Sequence, residues 1–190
     1  PTSGDNAVTF DVLMLHRWPK GQDQDAPVYA ALSSLHGQAS PPRHIMLLDD
    51  SGPEFMEHLN RLGQRQRHVP VRIQPGKNLA EKLNIGMEEL DQRLNMIGHA
   101  PADLILLMNT TPVQRDLLVG LEMEHAADPK TYCTPGSNEP FGLCLPRKAW
   151  RPWDERCKDG DSGMSKWLTA LTRKSGLEHV FPPFTWFVQP

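Results

Sequence analysis

Over residues 8–108 the sequence alternates short apolar runs with longer segments of helical spacing, and this order limits the available folds more than any other feature. Residues 8–15 (VTFDVLML) are apolar, partly β-branched and closed by Trp18-Pro19, which reads as a buried strand. Residues 26–35 then place Val28, Ala31, Leu32 and Leu35 at helical intervals and stop before Gly37 and Pro41-Pro42. Residues 44–48 are apolar on both sides of their alternation and halt at the turn-forming Asp49-Asp50-Ser51-Gly52. Residues 55–62 read as a helix, 69–73 as a third strand, 79–94 as a long amphipathic helix and 104–108 as a fourth strand. Such alternation, without repeats, predicts an α/β fold: a mostly parallel central sheet with helices on both faces and ligands beyond the carboxyl ends of its strands. A site is therefore expected in the loops after Leu15, Leu48, Ile73 and Met108.

A chain of 190 residues that is 38% hydrophobic suits one domain, and no segment approaches the uninterrupted apolar span of a membrane helix. The net charge of -3 argues against nucleic acid as an obligatory partner. Arg61, Arg65, Arg67, His68 and Arg72 form a local basic run that a solvated face explains as well as a phosphate site does. Cys133, Cys144 and Cys157 are odd in number and contain no CxxC pair, which suggests neither a disulfide framework nor zinc and fits a reducing cytoplasm. A start at Pro1 without a basic-then-apolar leader reads as a piece cut from something longer.

Segments in the first part of the chain carry a resemblance to a known family. The run RHIMLLDDSG (Arg43, then His44 through to Gly52) resembles the strand and acidic turn that hold the nucleoside in family 2 glycosyltransferases. Leu15-His16-Arg17-Trp18-Pro19 resembles the end of that family's first strand, beside base and ribose. Asn78-Leu79-Ala80-Glu81-Lys82-Leu83-Asn84-Ile85-Gly86 resembles its helix with a polar cap, small residues and Asn-x-Gly. The resemblance implies a single Rossmann-like GT-A domain, with residues 1–112 as the nucleotide-sugar-binding half and 113–190 as the acceptor-side half. It implies a nucleotide-sugar donor, a UDP-sugar by preference, held by His16, Arg17, Asp49, Asp50, Lys77, Asn78 and Asn109. Physical chemistry supports part of this independently. A carboxylate at a strand end accepts the imide N–H of uracil, and Arg17, Arg72 and Lys77 lie near loop mouths where a diphosphate needs positive charge. A plain polar turn and solvated surface cations are the competing reading.

The fourth strand departs from the family pattern. Members end it with Asp-x-Asp, whose anionic oxygens hold a divalent cation, Mn²⁺ or Mg²⁺, against the diphosphate. Here Leu107-Met108-Asn109 falls on those positions, which leaves one neutral amide oxygen and argues against tight cation binding. Leaving-group stabilisation then falls to Arg or Lys, or the domain binds without catalysing.

Residues 141–150 (FGLCLPRKAW) suggest a strand and turn, and Trp153-Asp154-Glu155 resembles the family's aromatic-Asp-Glu element on the acceptor side. An inverting enzyme needs a carboxylate to deprotonate the acceptor hydroxyl. Asp161 is the first choice and Asp159 the second, both ahead of a helix over 164–174, with helix-start capping as the alternative role. The late aromatics Trp150, Trp153, Trp167, Phe181, Phe184, Trp186 and Phe187 read as core more than as a sugar platform. The expected function is glycosyl transfer from a UDP-sugar to an acceptor hydroxyl by inverting displacement. The rivals are a catalytically silent binding or interaction domain of a larger protein and a DNA-modifying glycosyltransferase. A sugar nucleotidyltransferase is disfavoured because His16-Arg17-Trp18-Pro19-Lys20 lacks the glycines of a phosphate loop.

Overall fold

Strands that are apolar on both sides must be covered on both sides, and this sets the layers. In β1 (Phe10–His16), Val12 and Met14 enter one core cluster and Leu13 the other. A computed structural model describes residues 7–17, 26–51, 57, 60, 71–72, 79–136, 139–152 and 161–188. In chain order the remaining elements are α1 (Ala26–His36), β2 (His44–Asp49), β3 (Val71–Arg72), α2 (Leu79–Ile97), β4 (Leu104–Asn109), α3 (Leu117–Ala127), β5 (Thr131–Cys133), β6 (Gly142–Pro146), α4 (Asp161–Ser175) and β7 (Glu178–Val180). They form a seven-stranded sheet of order β3-β2-β1-β4-β6-β5-β7. The first four strands are mutually parallel, β6 runs antiparallel between β4 and β5, and β7 is parallel to β5.

One face is covered by α1 and α3, through Leu32, Leu35, Leu118 and Leu121, with Trp186 and Phe187 from the chain's end. The other is covered by α2 and α4, through Leu83, Met87, Leu90, Trp167 and Leu171. The expected helices on both faces and mostly parallel sheet are thus observed. Two glycines set the placement of α2. Gly98, at φ 68°, ends it in the left-handed conformation that a Cβ disfavours. Gly86 lets it approach β2 so closely that a Cβ there would stand 2.5 Å from Leu48 Cδ1.

Each described element named from the sequence is present, with no described end moved by more than three residues. The helix over 164–174 begins earlier, at Asp161. Of residues 55–62 only Glu57 and Asn60 are described, both helical. Periodicity had suggested nothing at α3, β5 or β7. In α3 the buried Leu117, Leu118 and Leu121 share one face but only over the first turns, and Met123 is exposed. Strands of three residues are too short to show alternation. Among the described residues no helix is long and apolar enough to cross a membrane.

Candidate active site

The parallel pairing of β1, β2 and β4 brings their carboxyl ends to one rim. His16 lies opposite Asp49, and Leu15 lies opposite Asn109. Beyond this rim opens a cleft of about 270 Å³ whose polar wall is His16, Arg17, Asp50, Lys82, Asn109 and Thr110. Leu15, Leu48 and Leu79 supply its apolar wall. It gathers residues from the ends of β1, β2 and β4 and from the first turn of α2, where a nucleotide-binding α/β fold is expected to hold its ligand.

Asp50 is the electrostatic centre. Its side chain is 3% exposed and accepts from Arg17 Nε at 3.0 Å and Arg17 Nη2 at 2.5 Å, and also from Lys82 Nζ. Burial pushes the Asp50 carboxyl up, but hydrogen bonds and charge from Arg17 and Lys82 prevail and hold it below the ordinary carboxylate value. The Asp50 hydrogen bond in turn raises Arg17, whose side chain is largely exposed. Asp49 faces elsewhere: it is fully buried, accepts from Ser51 Oγ at 2.5 Å and Ser51 N at 3.2 Å, and lies 3.8 Å from His16 Nε2. It builds the turn that presents Asp50.

At the end of β4, Asn109 Oδ1 is buried with no hydrogen-bond partner among the described residues. A buried acceptor left open carries a free-energy penalty that a donor from a ligand or water removes. It does not make a site for a hard divalent cation. Asp50 is engaged by two cations, Asn109 and Thr110 offer neutral oxygens, and no group of three His, Cys, Asp or Glu among the described residues could hold a metal. The described residues therefore do not fit the Mn²⁺ or Mg²⁺ that the family resemblance implies.

Of the residues singled out from sequence, His16, Arg17, Asp50 and Asn109 share the cleft, while Asp49 lies beneath it. Lys77, Asn78 and Asp159 fall outside the described residues, and of Asp161 only the backbone, as first residue of α4, is described. Sequence reasoning missed Lys82. Its signal was its place three residues after Leu79, on the same helix face. The described thiols lie away from the cleft lining: Cys133 and Cys144 are free and buried, burial pushes Cys133 up to about 12, and Cys144 stands well above its ordinary value, while Cys157 lies outside the described residues.

No family model matches the chain, and no curated protein sequence is similar to it. Solved structures do share its architecture. A mannosyltransferase from Pyrobaculum calidifontis in complex with GDP-Man and Mn²⁺ aligns at TM-score 0.66 and 12% identity, covering 94% of this chain and 56% of that one. TarS of S. aureus aligns at TM-score 0.65 and 8% identity over 95% of this chain and 36% of its own. A cytidylyltransferase from Leptospira borgpetersenii aligns at TM-score 0.63 and 8% identity over 93% of this chain and 76% of its own. The chain thus spans about a third of TarS and just over half of the mannosyltransferase. It has the Rossmann-like GT-A fold of nucleotide-diphospho-sugar transferases, a fold also used for nucleotidyl transfer.

Proposed function

We propose that this domain binds a nucleotide-diphospho-sugar, a UDP-sugar by preference, in the cleft and transfers the glycosyl unit to an acceptor hydroxyl. The observation that carries this reading is the convergence of Arg17 and Lys82, from different elements, on Asp50 inside a cleft where Asn109 Oδ1 lacks a partner among the described residues. Two cations held side by side match a diphosphate, and the first turn of α2, which supplies Leu79 and Lys82, adds the favourable end of a helix dipole. The Asp50 carboxylate is the acceptor for a nucleoside N–H or hydroxyl, and Asn109 Oδ1 accepts from a hydroxyl of the donor.

In the reaction the acceptor oxygen forms a bond to the anomeric carbon as the bond from that carbon to the diphosphate breaks. Charge developing on the leaving diphosphate is stabilised by Arg17 and Lys82, with no step assigned to a metal. The acceptor proton passes to a carboxylate, for which Asp161 at the start of α4 is the candidate. Nucleotidyl transfer on the same fold is the weaker reading, because the sequence after β1 has no glycine-rich phosphate loop.

Calorimetric titration with UDP, GDP and several UDP-sugars, each with and without Mn²⁺, tests the reading. Binding of uridine nucleotides without Mn²⁺, followed by release of UDP in the presence of an acceptor, is the expected result. Binding without turnover identifies a silent sugar-nucleotide domain, and no binding at all overturns the proposal.

A further inference from the structure

The end of the sheet opposite the cleft carries a second pocket, independent of the donor-site reading. β5 and β7 begin at that end, and β6, running antiparallel, finishes there. Lys130 just before β5, Lys148 and Arg151 just after β6, and Lys174 near the end of α4 are thereby brought around one pocket of about 290 Å³. Ser175 adds a hydroxyl, and among the described residues no carboxylate lines the pocket.

Its four cations are not ion-paired among the described residues. Asp128 accepts from the backbone N–H of Lys130 at 2.9 Å, and neither Asp128 nor Glu178 makes an ion pair among the described residues. Arg151 is fixed by Nη1 donating to the carbonyls of Lys148 at 3.0 Å and Trp150 at 2.6 Å. Burial first, and the charge of Lys148 second, hold the neighbouring His125 below its ordinary value against the opposing charges of Asp103 and Asp128. In a chain of net charge -3, cations crowded around one concavity repel each other and focus a positive potential that a compact anion relieves.

We infer that this pocket is a binding site for a phosphate-bearing ligand. Lysine ammonium groups act as point charges for phosphate oxygens, and a guanidinium fork and a hydroxyl complete the donor set that a phosphoryl group with several acceptors requires. The volume, about 290 Å³, holds a phosphate or diphosphate group and leaves little room for a large apolar body. The ligand is either a free phosphorylated compound or the headgroup of an anionic phospholipid.

The test titrates ¹⁵N-labelled protein with inorganic pyrophosphate. A parallel experiment sediments the protein with phosphatidylcholine vesicles, with and without phosphatidylglycerol. Pyrophosphate is expected to shift the amides of Lys130, Ser175 and Gly176, and the double variant Lys148→Gln/Lys174→Gln is expected to weaken that response at least about tenfold. Responses at the amides of Asp50 and Thr110 stay as in the parent, so a failed donor-site reading is distinguishable from a failed phosphate site. Vesicle binding that needs phosphatidylglycerol and is lost in the double variant assigns the ligand to a lipid headgroup. If neither pyrophosphate nor anionic vesicles respond to the double variant, the proposal is overturned. Both lysines are exposed, so their replacement leaves the core intact.

Discussion

The Arg17 guanidinium takes both carboxylate oxygens of Asp50, Nε to Oδ1 at 3.0 Å and Nη2 to Oδ2 at 2.5 Å, joining positions 33 residues apart. With Lys82 on the same carboxylate, the end of β1, the turn after β2 and the first turn of α2 are tied at one point. Asp50 thus has a folding role before any ligand arrives, and acid should weaken it. Its folded-state value lies below that of a free carboxyl, about 3.9. The stabilisation is therefore present above that pH and is lost as pH falls through the folded value. The Tm deficit of Asp50→Asn should be largest near neutrality and shrink on acidification; a deficit that stays constant with pH assigns it to packing.

Nucleotide affinity should depend on more than one member of this cluster. Lys82→Ala removes a cation from the diphosphate side and should raise the Kd for UDP roughly tenfold, as expected for losing one charge-assisted hydrogen bond. Asp50→Ala should also weaken UDP binding, and equal affinity would mark the turn as structural only. Calorimetry on both variants reads the difference.

Asn109→Asp restores a carboxylate at the end of β4. The added charge opposes a diphosphate alone and favours a hard cation, so UDP binding should become weaker without Mn²⁺ and responsive to it. Titrations of parent and variant, each with and without Mn²⁺, make the comparison; a variant indifferent to the metal would place Asn109 away from the phosphates.

Asp161→Asn keeps the shape of a helix-start residue while removing the base. Turnover should fall by two orders of magnitude or more, about the 10²–10⁴-fold contribution of general base catalysis, with UDP affinity unchanged. An unaltered rate removes Asp161 from the mechanism.

Gly86→Ala puts a methyl group against Leu48, where the contact would be 2.5 Å. The strain should lower stability by about 1–3 kcal/mol in urea unfolding. It should also weaken UDP binding, because α2 carries Lys82 and β2 leads directly into Asp50.

The sequence announces the rim of the site better than its interior. Each of β1, β2 and β4 is an apolar run ended by polar residues, so His16, Asp49 and Asn109 could be placed at strand ends, and parallel pairing sets them side by side. The roles of Asp49 and Asp50 could not be separated, because only the turn geometry shows that one bonds Ser51 and the other faces the cleft. Lys82 stayed hidden because the face that α2 turns toward the cleft depends on its rotation, which the Gly86 contact with Leu48 fixes in three dimensions. The basic pocket at the far end stayed hidden for a related reason: Lys130, Lys148 and Lys174 are distant in sequence and meet only because β6 reverses direction.

That reversal also governs how the molecule comes apart. β4, which carries Asn109, has β1 on one side and β6 on the other, and β6 comes from the later part of the sequence. A fragment ending at Pro112 would leave the β4 edge with a bare row of N–H and C=O groups and would strip Cys144, Trp186 and Phe187 from the core beneath it. The cleft is consequently not a detachable module. Whatever loosens residues 142–146 or 186–187 also loosens Asn109, and a nucleotide seated in the cleft would shield distant segments of the chain from a protease.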